Sequence, residues 1–464
     1  MSKSLELFKE ITQIPRPSKK EGKIREYLIS WAESKGFEYK TDKIGNLVVY
    51  VLGKNCKSLE CVILQSHMDM VCVKTPDSKL DFETDSLDIY EEDGFIKARD
   101  TSLGADNGIG IALAMSAVDF ESHPPMELVF TVDEEQGMSG ILNLDFNLLS
   151  GKKVINIDSE NEDEICISSA GGARINVTKN LARIAGKFTQ YNLIISGMKG
   201  GHSGIEIHKN HGNAIKLLID FLYEYSFPYE IANIIGGIAD NVIPSEVQMI
   251  FGTKNIEVFE DSLKKYILEL KEKLDCPDIT FKITKIDTIL PVIEDSDFII
   301  SRIHDIKVGV IAMSKKIANL VETSINLGII NLEGNIFELT YLPRSSNMEE
   351  FDKLLIKLEN HFPITDDYIF TINSKYPGWQ DNPEGELIKI ATEEFLKTTG
   401  KNPEIIAIHA GLECGALVAG LGEGTSAISI GPNMHDIHST NERLEIASVE
   451  KIEKILEGIL GKLS

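Results

Sequence analysis

Four short apolar runs of the sequence each lead to side chains that can bind metal ions or move protons. These side chains are His67 and Asp69 after CVILQ, Glu134 and Glu135 after LVFTV, Asp158 after VINI, and His435 and His438 after AISIGPNM. In an open parallel sheet, ligands bind beyond the carboxyl ends of the strands. The pattern therefore predicts that the four groups meet at one sheet edge.

The chemistry of this set favours a metal centre. Imidazole and carboxylate ligands without a thiolate suit zinc, manganese or cobalt, and there are enough of them for two ions that share a carboxylate. Asp106 is the natural bridge, because Gly104 and Gly108 bracket it in the turn TSLGADNGIG. Asp69 is two residues beyond His67, so on an extended backbone it can hold the second imidazole nitrogen.

The adjacent acids Glu134 and Glu135 are expected to have different roles. Successive side chains of an extended chain point in opposite directions, so only one can ligate an ion while the other faces a water beside it. A carboxylate near that water can take its proton and pass it to a leaving amine. Asp133 is expected to support the turn.

Each of these residues, taken alone, also fits an ordinary structural role. Asp106 could cap a helix, His67 could be a satisfied polar residue at a strand end, and Asp158 could lie in a surface turn. The pair Glu134 and Glu135 could be an exposed hairpin end. His435 and His438 could be solvated. Together these explanations require two histidines and four carboxylates to meet for unrelated reasons, which favours the metal site.

The elements that must position these residues occur at both ends of the chain. Short Val- and Ile-rich runs alternate with helical stretches from residue 20 to about 185, and again from residue 378. This alternation predicts an α/β domain whose mostly parallel sheet is covered by helices.

The middle of the chain has a different pattern, which occurs twice. The segments that begin NIIGGIAD and SINLGIIN each read strand, strand, helix, strand, and the helical patterns NAIKLLIDFLYEY and MSKKIANLVETSIN precede them. We therefore predict an inserted α+β domain with an internal duplication. The predicted boundaries give residues 1–185 and 378–464 to the α/β domain and 186–377 to the insertion.

Composition limits the class of protein. The 464 residues are 42% hydrophobic and 26% charged, and the net charge of -25 argues against nucleic acid or an anionic membrane as partner. The amino-terminal segment lacks the apolar core of a signal peptide, and no apolar run approaches the ~18 residues of a membrane span. The six cysteines show no CxxC spacing, which predicts neither a disulfide framework nor a cysteine zinc site. A cytoplasmic protein is expected.

Five motifs carry a family resemblance: SHMDMV, GADNGIG, DEEQGMSG, NIDSE and HSTNE, in this order. They resemble the zinc aminoacylase, carboxypeptidase and carnosinase family of metallopeptidases. IPRPSKKEG, DKIGNLVVYV, KGGHSGIEIHKNHGNA, LPRSS and HAGLECG are similar to the aminoacyl-histidine dipeptidases of this family, also called Xaa-His or cytosolic non-specific dipeptidases. The similarity spans nearly the whole chain and implies metal-dependent hydrolysis of dipeptides, with Xaa-His substrates preferred.

The resemblance also implies a role for each metal-site residue. His67 and Asp158 would hold one ion, Glu135 and His438 the other, and Asp106 would bridge them. The ions would be divalent, with zinc expected first and cobalt or manganese as alternatives.

For the acids beside these ligands, the resemblance implies Glu134 as the general base and Asp69 as the residue that orients His67. It also makes the inserted domain a lid. His202 of that domain, in GGHSG, would help to polarise the scissile carbonyl. Asn241, in DNVIPSE, and Arg344, in LPRSS, would meet the carboxylate of the substrate.

A separate hypothesis concerns Glu413, in HAGLECG. A dipeptidase must recognise a free amine close to the scissile bond, and an acidic group near a strand end could do this. His409 is expected to pack instead.

Two alternatives to a dipeptidase remain. One is a deacylase or carboxypeptidase that acts on N-acyl amino acids. The other is a non-catalytic peptide-binding protein, which the complete set of ligands and base disfavours. Monomer and homodimer are both open, because a duplicated lid could mimic a dimer within one chain.

Overall fold

The computed structural model describes residues 2–224, 228–315 and 320–464. These residues form two compact units. The first unit contains the chain up to Ser169, together with Trp379–Ala407 and Leu412–Ser464, and the inserted unit contains Ala170–Gly378 and Ile408–Gly411.

Helices and strands are numbered here along the described part of the chain. Its eleven α-helices are α1 (Lys3–Ile11), α2 (Gly22–Lys35), α3 (Ala105–Ala117), α4 (Ser139–Leu142), α5 (Ala214–Glu224), α6 (Ile256–Lys273), α7 (Ser296–His304), α8 (Met348–His361), α9 (Glu386–Thr399), α10 (Glu413–Leu421) and α11 (Ile446–Leu463). Its strands are β1 (Glu38–Thr41), β2 (Leu47–Val51), β3 (Val62–His67), β4 (Ile89–Glu92), β5 (Phe95–Ala98), β6 (Met126–Thr131), β7 (Lys153–Asn156), β8 (Glu164–Ser169), β9 (Gly171–Asn180), β10 (Arg183–Ile184), β11 (Gln190–Ser196), β12 (Tyr229–Gly236), β13 (Val247–Thr253), β14 (Thr280–Lys285), β15 (Val292–Ile293), β16 (Gly309–Met313), β17 (Val321–Glu333), β18 (Ile336–Ser345), β19 (Tyr368–Tyr376), β20 (Trp379–Gln380), β21 (Glu404–Ile408), β22 (Ser426–Ser429), β23 (Met434–His435) and β24 (Arg443–Glu445).

The main sheet of the first unit has a parallel centre and antiparallel flanks. Its strand order is β1-β2-β6-β3-β7-β22-β8-β20, and β21 pairs with β8. The central strands β6, β3, β7 and β22 run parallel, whereas β1, β2, β8 and β20 pair antiparallel. The predicted parallel sheet is therefore confined to the strands that carry the candidate site.

Helices cover the parallel centre because their apolar faces need a partner. The core of the first unit combines residues of β2, β3 and β6 with residues of α1, α3, α9 and α11. Helix α3 is buried along almost its whole length, as expected of a helix that is apolar on all sides. Each fully buried Leu, Ile or Val contributes about 1.5–3 kcal/mol to this packing.

A small antiparallel sheet of the first unit was not predicted from the sequence. Its order is β23-β24-β5-β4, and its strands are between two and four residues long. Strands this short give little periodicity to detect. The sheet holds the two ends of the segment that contains His438.

The inserted unit shows the duplication in its sheet. The order β14-β11-β13-β12-β17-β18-β9-β19 is symmetric about the pair β12–β17. One half contains β12, β13, α6 and β14, and the other contains β17, β18, α8 and β19. Strands β11 and β9 occupy corresponding positions in the two halves of the sheet. An asparagine caps the helix of each half: Asn255 accepts from the amide of Val258, and Asn347 accepts from the amide of Glu350.

Two expectations for the insertion differ from the structure. The chain divides after Ser169 rather than near residue 185, because β9 pairs with β18 and β19. The helix predicted over residues 313–326 is wrong from Val321 onwards, where the chain is strand β17 and pairs with β16 and β18. Within that predicted helix, residues 316–319 lie outside the described residues. Among the described helices, none has the length and apolarity that crossing a membrane would need.

Candidate metal centre

Adjacent parallel strands deliver the predicted residues to one edge of the main sheet. His67, the last residue of β3, is paired with Thr131, the last residue of β6. Two residues earlier on β3, Gln65 is paired with Asn156, the last residue of β7. The chain segments that follow these strand ends carry Asp69, Glu134, Glu135 and Asp158. Strand order and register thus place the candidate ligands side by side.

Asp106 lies between two imidazole rings. Its Oδ1 is 3.0 Å from Nε2 of His67, and its Oδ2 is 3.2 Å from Nε2 of His438. The residue has an extended conformation at the start of α3, and the peptide bond that follows it is cis. One carboxylate therefore presents a different oxygen to each histidine, as a bridging ligand would.

A further carboxylate lies beside each imidazole. Asp158 Oδ1 is 3.4 Å from His67 Nε2, and Glu135 Oε2 is 3.1 Å from His438 Nε2. Ligand atoms of His67, Asp106 and Glu135 all lie within 4.8 Å of one another. The five residues thus form two groups of ligands on either side of Asp106.

The donor set fits divalent metal ions. Nitrogen and oxygen ligands of this kind are those that zinc, cobalt and manganese accept. Oxygen Oε1 of Glu135 is buried and has no hydrogen-bond partner, which is costly unless a cation or donor satisfies it. The half-buried or buried carboxylates at this edge also repel one another, and a bound cation would neutralise them.

The two histidines and the surrounding acids shift one another's pKa values. Burial alone would lower the pKa of His67, but Asp158, Asp106 and Asp69 outweigh it and raise this pKa well above 6.5. Hydrogen bonds that the His438 ring donates to the carboxylates of Asp106 and Glu135 raise its pKa to about 11. Burial raises the pKa of Asp158 and of Glu135. The acids around both imidazoles therefore favour positive charge at this edge of the sheet.

Asp69 connects His67 to the segment that carries the glutamates. Its Oδ1 is 3.4 Å from His67 Nδ1, and its two oxygens accept from the amides of Glu134 and Glu135 at 3.0 and 3.2 Å. The hydroxyl of Ser18 donates a third bond at 2.8 Å. Burial opposes ionisation, but the hydrogen bond and charge of His67, together with the amide of Glu134 and the hydroxyl of Ser18, lower the pKa of Asp69 to about 2. Its charge is thus fixed by the residues that it positions.

Glu134 has the environment of a proton acceptor. Burial raises its pKa well above 4.5, and Asp158, Glu413 and Glu135 add to this effect. Since a raised pKa makes a carboxylate a better base near neutral pH, the residue can hold a proton during a reaction.

Asp133 and His435, which flank the candidate ligands in the sequence, have structural contacts of their own. Asp133 has a φ of +51° and accepts a hydrogen bond from the hydroxyl of Ser139, so it stabilises the turn. His435 is in β23, with its ring 5.8 Å from that of Phe95. Only His438 of the two loop histidines contacts the candidate ligands.

Glu413 is the first residue of α10 and is fully buried. Its Oε2 accepts hydrogen bonds from Gln65 Nε2 and from Thr131 Oγ1, the latter at 2.9 Å, while Oε1 has no partner. Burial raises its pKa to about 8. The side chain thus lies behind the ends of β3 and β6, with one oxygen unsatisfied.

In the inserted unit, the ring of His202 has a defined tautomer. Its Nδ1 accepts from the amides of Gly204 and Ile205 at 3.2 and 3.3 Å, which leaves the ring proton on Nε2. Burial and the nearby charge of Arg344 lower the pKa of His202. The neutral ring of His202 can therefore donate a hydrogen bond from Nε2.

Arg344 and His409 of the inserted unit are buried, whereas Asn241 is exposed. Arg344, on β18, is buried, and its Nη1 donates to the hydroxyl of Tyr376 at 2.6 Å. Asn241 is exposed, and its backbone oxygen accepts from the amide of Ser203. His409 packs as expected: its Nε2 is 2.7 Å from the hydroxyl of Ser324, and burial lowers its pKa to about 3.

Sequence reasoning missed three residues that contact the ligand-bearing loops: Arg16, Ser18 and Glu442. Glu442 is buried, and its carboxylate accepts from the amides of Leu103, Gly104 and Ala105 at 2.7 to 2.9 Å. All three residues occur in motifs that carry the family resemblance, IPRPSKKEG and HSTNE. Their contacts are long-range, so spacing alone gives no sign of them.

Comparisons with known proteins identify the family of the chain. The sequence pattern of "Peptidase family M20/M25/M40" matches residues 63–462. The chain is 33% identical over 473 residues to a protein named cytosol non-specific dipeptidase from Escherichia coli (strain K12), with 99% of this chain and 97% of that protein covered. The crystal structure of aminoacylhistidine dipeptidase from Vibrio alginolyticus is similar with 30% identity and a TM-score of 0.88, covering 98% of this chain and 96% of that one. Aminopeptidase PepT from Bacillus cereus shares the fold, with 17% identity, a TM-score of 0.59 and coverage of 99% and 98%.

Proposed function

The chain belongs to peptidase family M20/M25/M40, and from this premise we propose that it hydrolyses dipeptides, with aminoacyl-histidine dipeptides preferred. The observation that carries the proposal is the position of Asp106, with one oxygen on His67 and the other on His438. The names of the Escherichia coli and Vibrio alginolyticus relatives support the substrate class.

The proposed cofactor is a pair of divalent ions, with zinc first and cobalt or manganese as alternatives. His67 and Asp158 would hold one ion, Glu135 and His438 the other, and Asp106 both. Ions at these residues would lower the pKa of a water towards ~7 and polarise the scissile carbonyl.

Glu134 is the proposed general base. Its amide donates to Asp69, whereas the carboxylate of the neighbouring Glu135 contacts the ring of His438. It would take the proton of the attacking water and deliver it to the amine of the leaving residue. Asp69 would keep the ring of His67 in one orientation through Nδ1.

The residues of the inserted unit are assigned to the substrate. His202, with its proton on Nε2, would donate to the carbonyl oxygen as negative charge develops there. Arg344 would pair with the substrate carboxylate, for which a guanidinium is well shaped, and Asn241 would donate to the same group.

Glu413 is proposed to meet the free amine of the substrate. Its support is the unpartnered, buried Oε1, because a buried carboxylate oxygen without a donor favours a cation. Recognition of a free amine would distinguish a dipeptidase from a deacylase, whose substrates carry an acylated nitrogen.

The experiment that tests the function compares free dipeptides with their N-acetylated forms at defined metal concentrations. We expect hydrolysis of free aminoacyl-histidine dipeptides and a large loss on acetylation. A preference for the blocked substrate would instead assign the protein to the deacylases or carboxypeptidases. Binding of both forms without turnover would make it a peptide-binding protein. Light scattering would decide between a monomer and a homodimer. Cell fractionation would test the proposed cytoplasmic location.

A further inference from the structure

The segment Arg16–Glu21, part of IPRPSKKEG, lies against two of the loops that carry the candidate ligands. Pro17 forms an isolated parallel bridge with Met70, after β3. Glu21 Oε1 accepts from the amide of Asp133, after β6, at 3.0 Å. The segment therefore joins the ends of two neighbouring strands at the metal centre.

Arg16 extends this connection to a third loop. Its side chain is 1% exposed. Nη1 donates to the carbonyl oxygens of Met68 and Asp69 at 3.1 and 2.8 Å, and Nη2 donates to the carbonyl oxygen of Gly104. One planar guanidinium thus ties the segment that carries His67 to the turn that carries Asp106.

Two glycines make room for the guanidinium. A Cβ atom added at Gly104 or at Gly108 would lie 2.6 Å from Nη2 of Arg16. Gly104 also has a φ of +67°, whereas Gly108 lies in α3, where any residue could adopt the backbone. Gly108 is therefore required by the approach of Arg16 and not by the helix.

The positive charge of Arg16 is compensated by acids of the same region. Glu442, Asp69 and Asp106 all attract the guanidinium. Glu442 binds three amides of the turn that Arg16 contacts through its carbonyl. The turn before α3 is thus held by a carboxylate through its N–H groups and by a guanidinium through its C=O group.

We propose that Arg16 is a positioning residue for the metal centre: it fixes the separation between the His67 segment and the Asp106 turn. The inference rests on the proposed metal-dependent function. An ion bound by both residues needs Nε2 of His67 and Oδ1 of Asp106 to stay near their present separation of 3.0 Å. Lysine in place of arginine would keep the charge but could not bridge carbonyls of two loops with a planar fork.

The test uses metal binding and its spectrum as readouts. The purified protein and its R16K and R16M variants are stripped of metal and titrated with cobalt(II) while visible absorption is recorded. We expect both variants to bind cobalt roughly 10- to 100-fold more weakly, as for other residues that support metal ligands, with an altered cobalt band. At saturating metal we expect kcat to fall while KM changes less than threefold.

The matched control is Arg183, a half-buried arginine of the inserted unit that also bridges backbone carbonyls. Its Nη1 donates to the oxygens of Ala232 and Pro291. R183K and R183M are expected to leave the cobalt band and affinity unchanged. An equal effect of the Arg183 substitutions would overturn the proposal, because loss of general stability would then explain the result.

A second pair of variants guards against misfolding of R16M. G108A suits a helix and is expected to weaken cobalt binding at least threefold by displacing the guanidinium. The same substitution in an R16A background should have no such effect. Cobalt affinity and spectrum within twofold of the parent in R16K and G108A would disprove the role of Arg16. A parent protein that binds cobalt but cleaves no dipeptide would refute the proposed function alone.

Discussion

Asp69 lies behind the ring of His67, with its Oδ1 3.4 Å from Nδ1, while Nε2 of the same ring faces Asp106 at 3.0 Å. The imidazole is therefore held on both sides, by one acid that would share its metal and one that would not. The same Asp69 carboxylate accepts hydrogen bonds from the amides of Glu134 and Glu135. The positions of two candidate ligands, His67 and Glu135, and of the proposed base Glu134 thus depend on the carboxylate of Asp69.

The first prediction follows from this dependence. Asp69→Asn is nearly isosteric but removes the charge, and one oxygen acceptor becomes a donor that faces other donors. We expect metal affinity to fall by about 10- to 100-fold, measured by competition with a chelator. Ser18→Ala removes a single bond to the same carboxylate and should cause a smaller loss. Equal affinity of D69N and the parent would show that Asp69 does not position His67.

The second prediction separates the two glutamates. Glu134→Gln keeps the shape of the side chain but cannot take a proton, so turnover should fall by roughly 10²- to 10⁴-fold with two ions still bound. Metal content and kcat are measured on the same preparation. Asp133→Asn is the matched control, since Asp133 supports the turn through Ser139, and it should keep most of the activity. An active E134Q enzyme would remove Glu134 from the role of base.

Much of the candidate site could be predicted from the sequence because strand ends are local features. CVILQ and LVFTV are apolar runs that end where the polar residues begin, and parallel pairing brings such ends together. His67 and Glu135 are found by this reasoning alone. Their separate roles came from the family resemblance.

Other features could not be predicted because the contacts involved join distant parts of the chain. Arg16 binds the carbonyl of Gly104, and Glu442 binds the amide of the same residue. Neither contact leaves a periodic pattern. The helix expected over residues 313–326 failed for another reason: Val321, Thr323 and Ile325 alternate with other residues in a strand, and β-branched residues favour that state.

The third prediction concerns removal of the metal. Without an ion, buried oxygens such as Oε1 of Glu135 stay unsatisfied, and the acids of the DEEQ segment repel one another. Ions that bind only the folded state stabilise it by about 4 kcal/mol when their free concentration is 1,000 times Kd. Chelation should therefore lower the Tm of the first unit by roughly 10 °C, and zinc should restore it. An unchanged Tm after verified metal removal would contradict the fit of the site.

The fourth prediction concerns Arg344. If it pairs with the substrate carboxylate, Arg344→Lys loses a bidentate contact of about 1.5–3 kcal/mol, which raises KM for a dipeptide by about 10- to 100-fold. A dipeptide with an amidated carboxyl group should bind poorly to the parent and be little affected by the substitution. Arg174, on β9 of the same sheet, pairs with Asp240 and is the control position. A similar rise in KM for both substrates would place Arg344 in a structural role.

The last prediction uses the buried histidine of the inserted unit. His409 has a pKa of about 3 in the folded protein because burial disfavours its charge, whereas an unfolded histidine titrates near 6.5. Between these values the unfolded state binds the extra proton. Stability from the neutral ring is thus complete above pH 6.5 and is lost as pH falls towards 3. One proton changes the free energy of unfolding by at most about 1.4 kcal/mol for each pH unit, so the loss between pH 6.5 and 5 is about 2 kcal/mol.

The measurement is urea unfolding of the parent and of His409→Gln at pH 7.5 and pH 5, followed by circular dichroism. Glutamine can still bond to the hydroxyl of Ser324 but does not titrate in this range, so the variant should lose less stability on acidification than the parent. His208→Gln, at an exposed histidine whose charge adds to the lowering of the His409 pKa, should lose slightly less stability on acidification than the parent. Equal pH dependence in H409Q and the parent would mean that the ring of His409 is protonated without cost, and its burial would then not contribute to acid sensitivity.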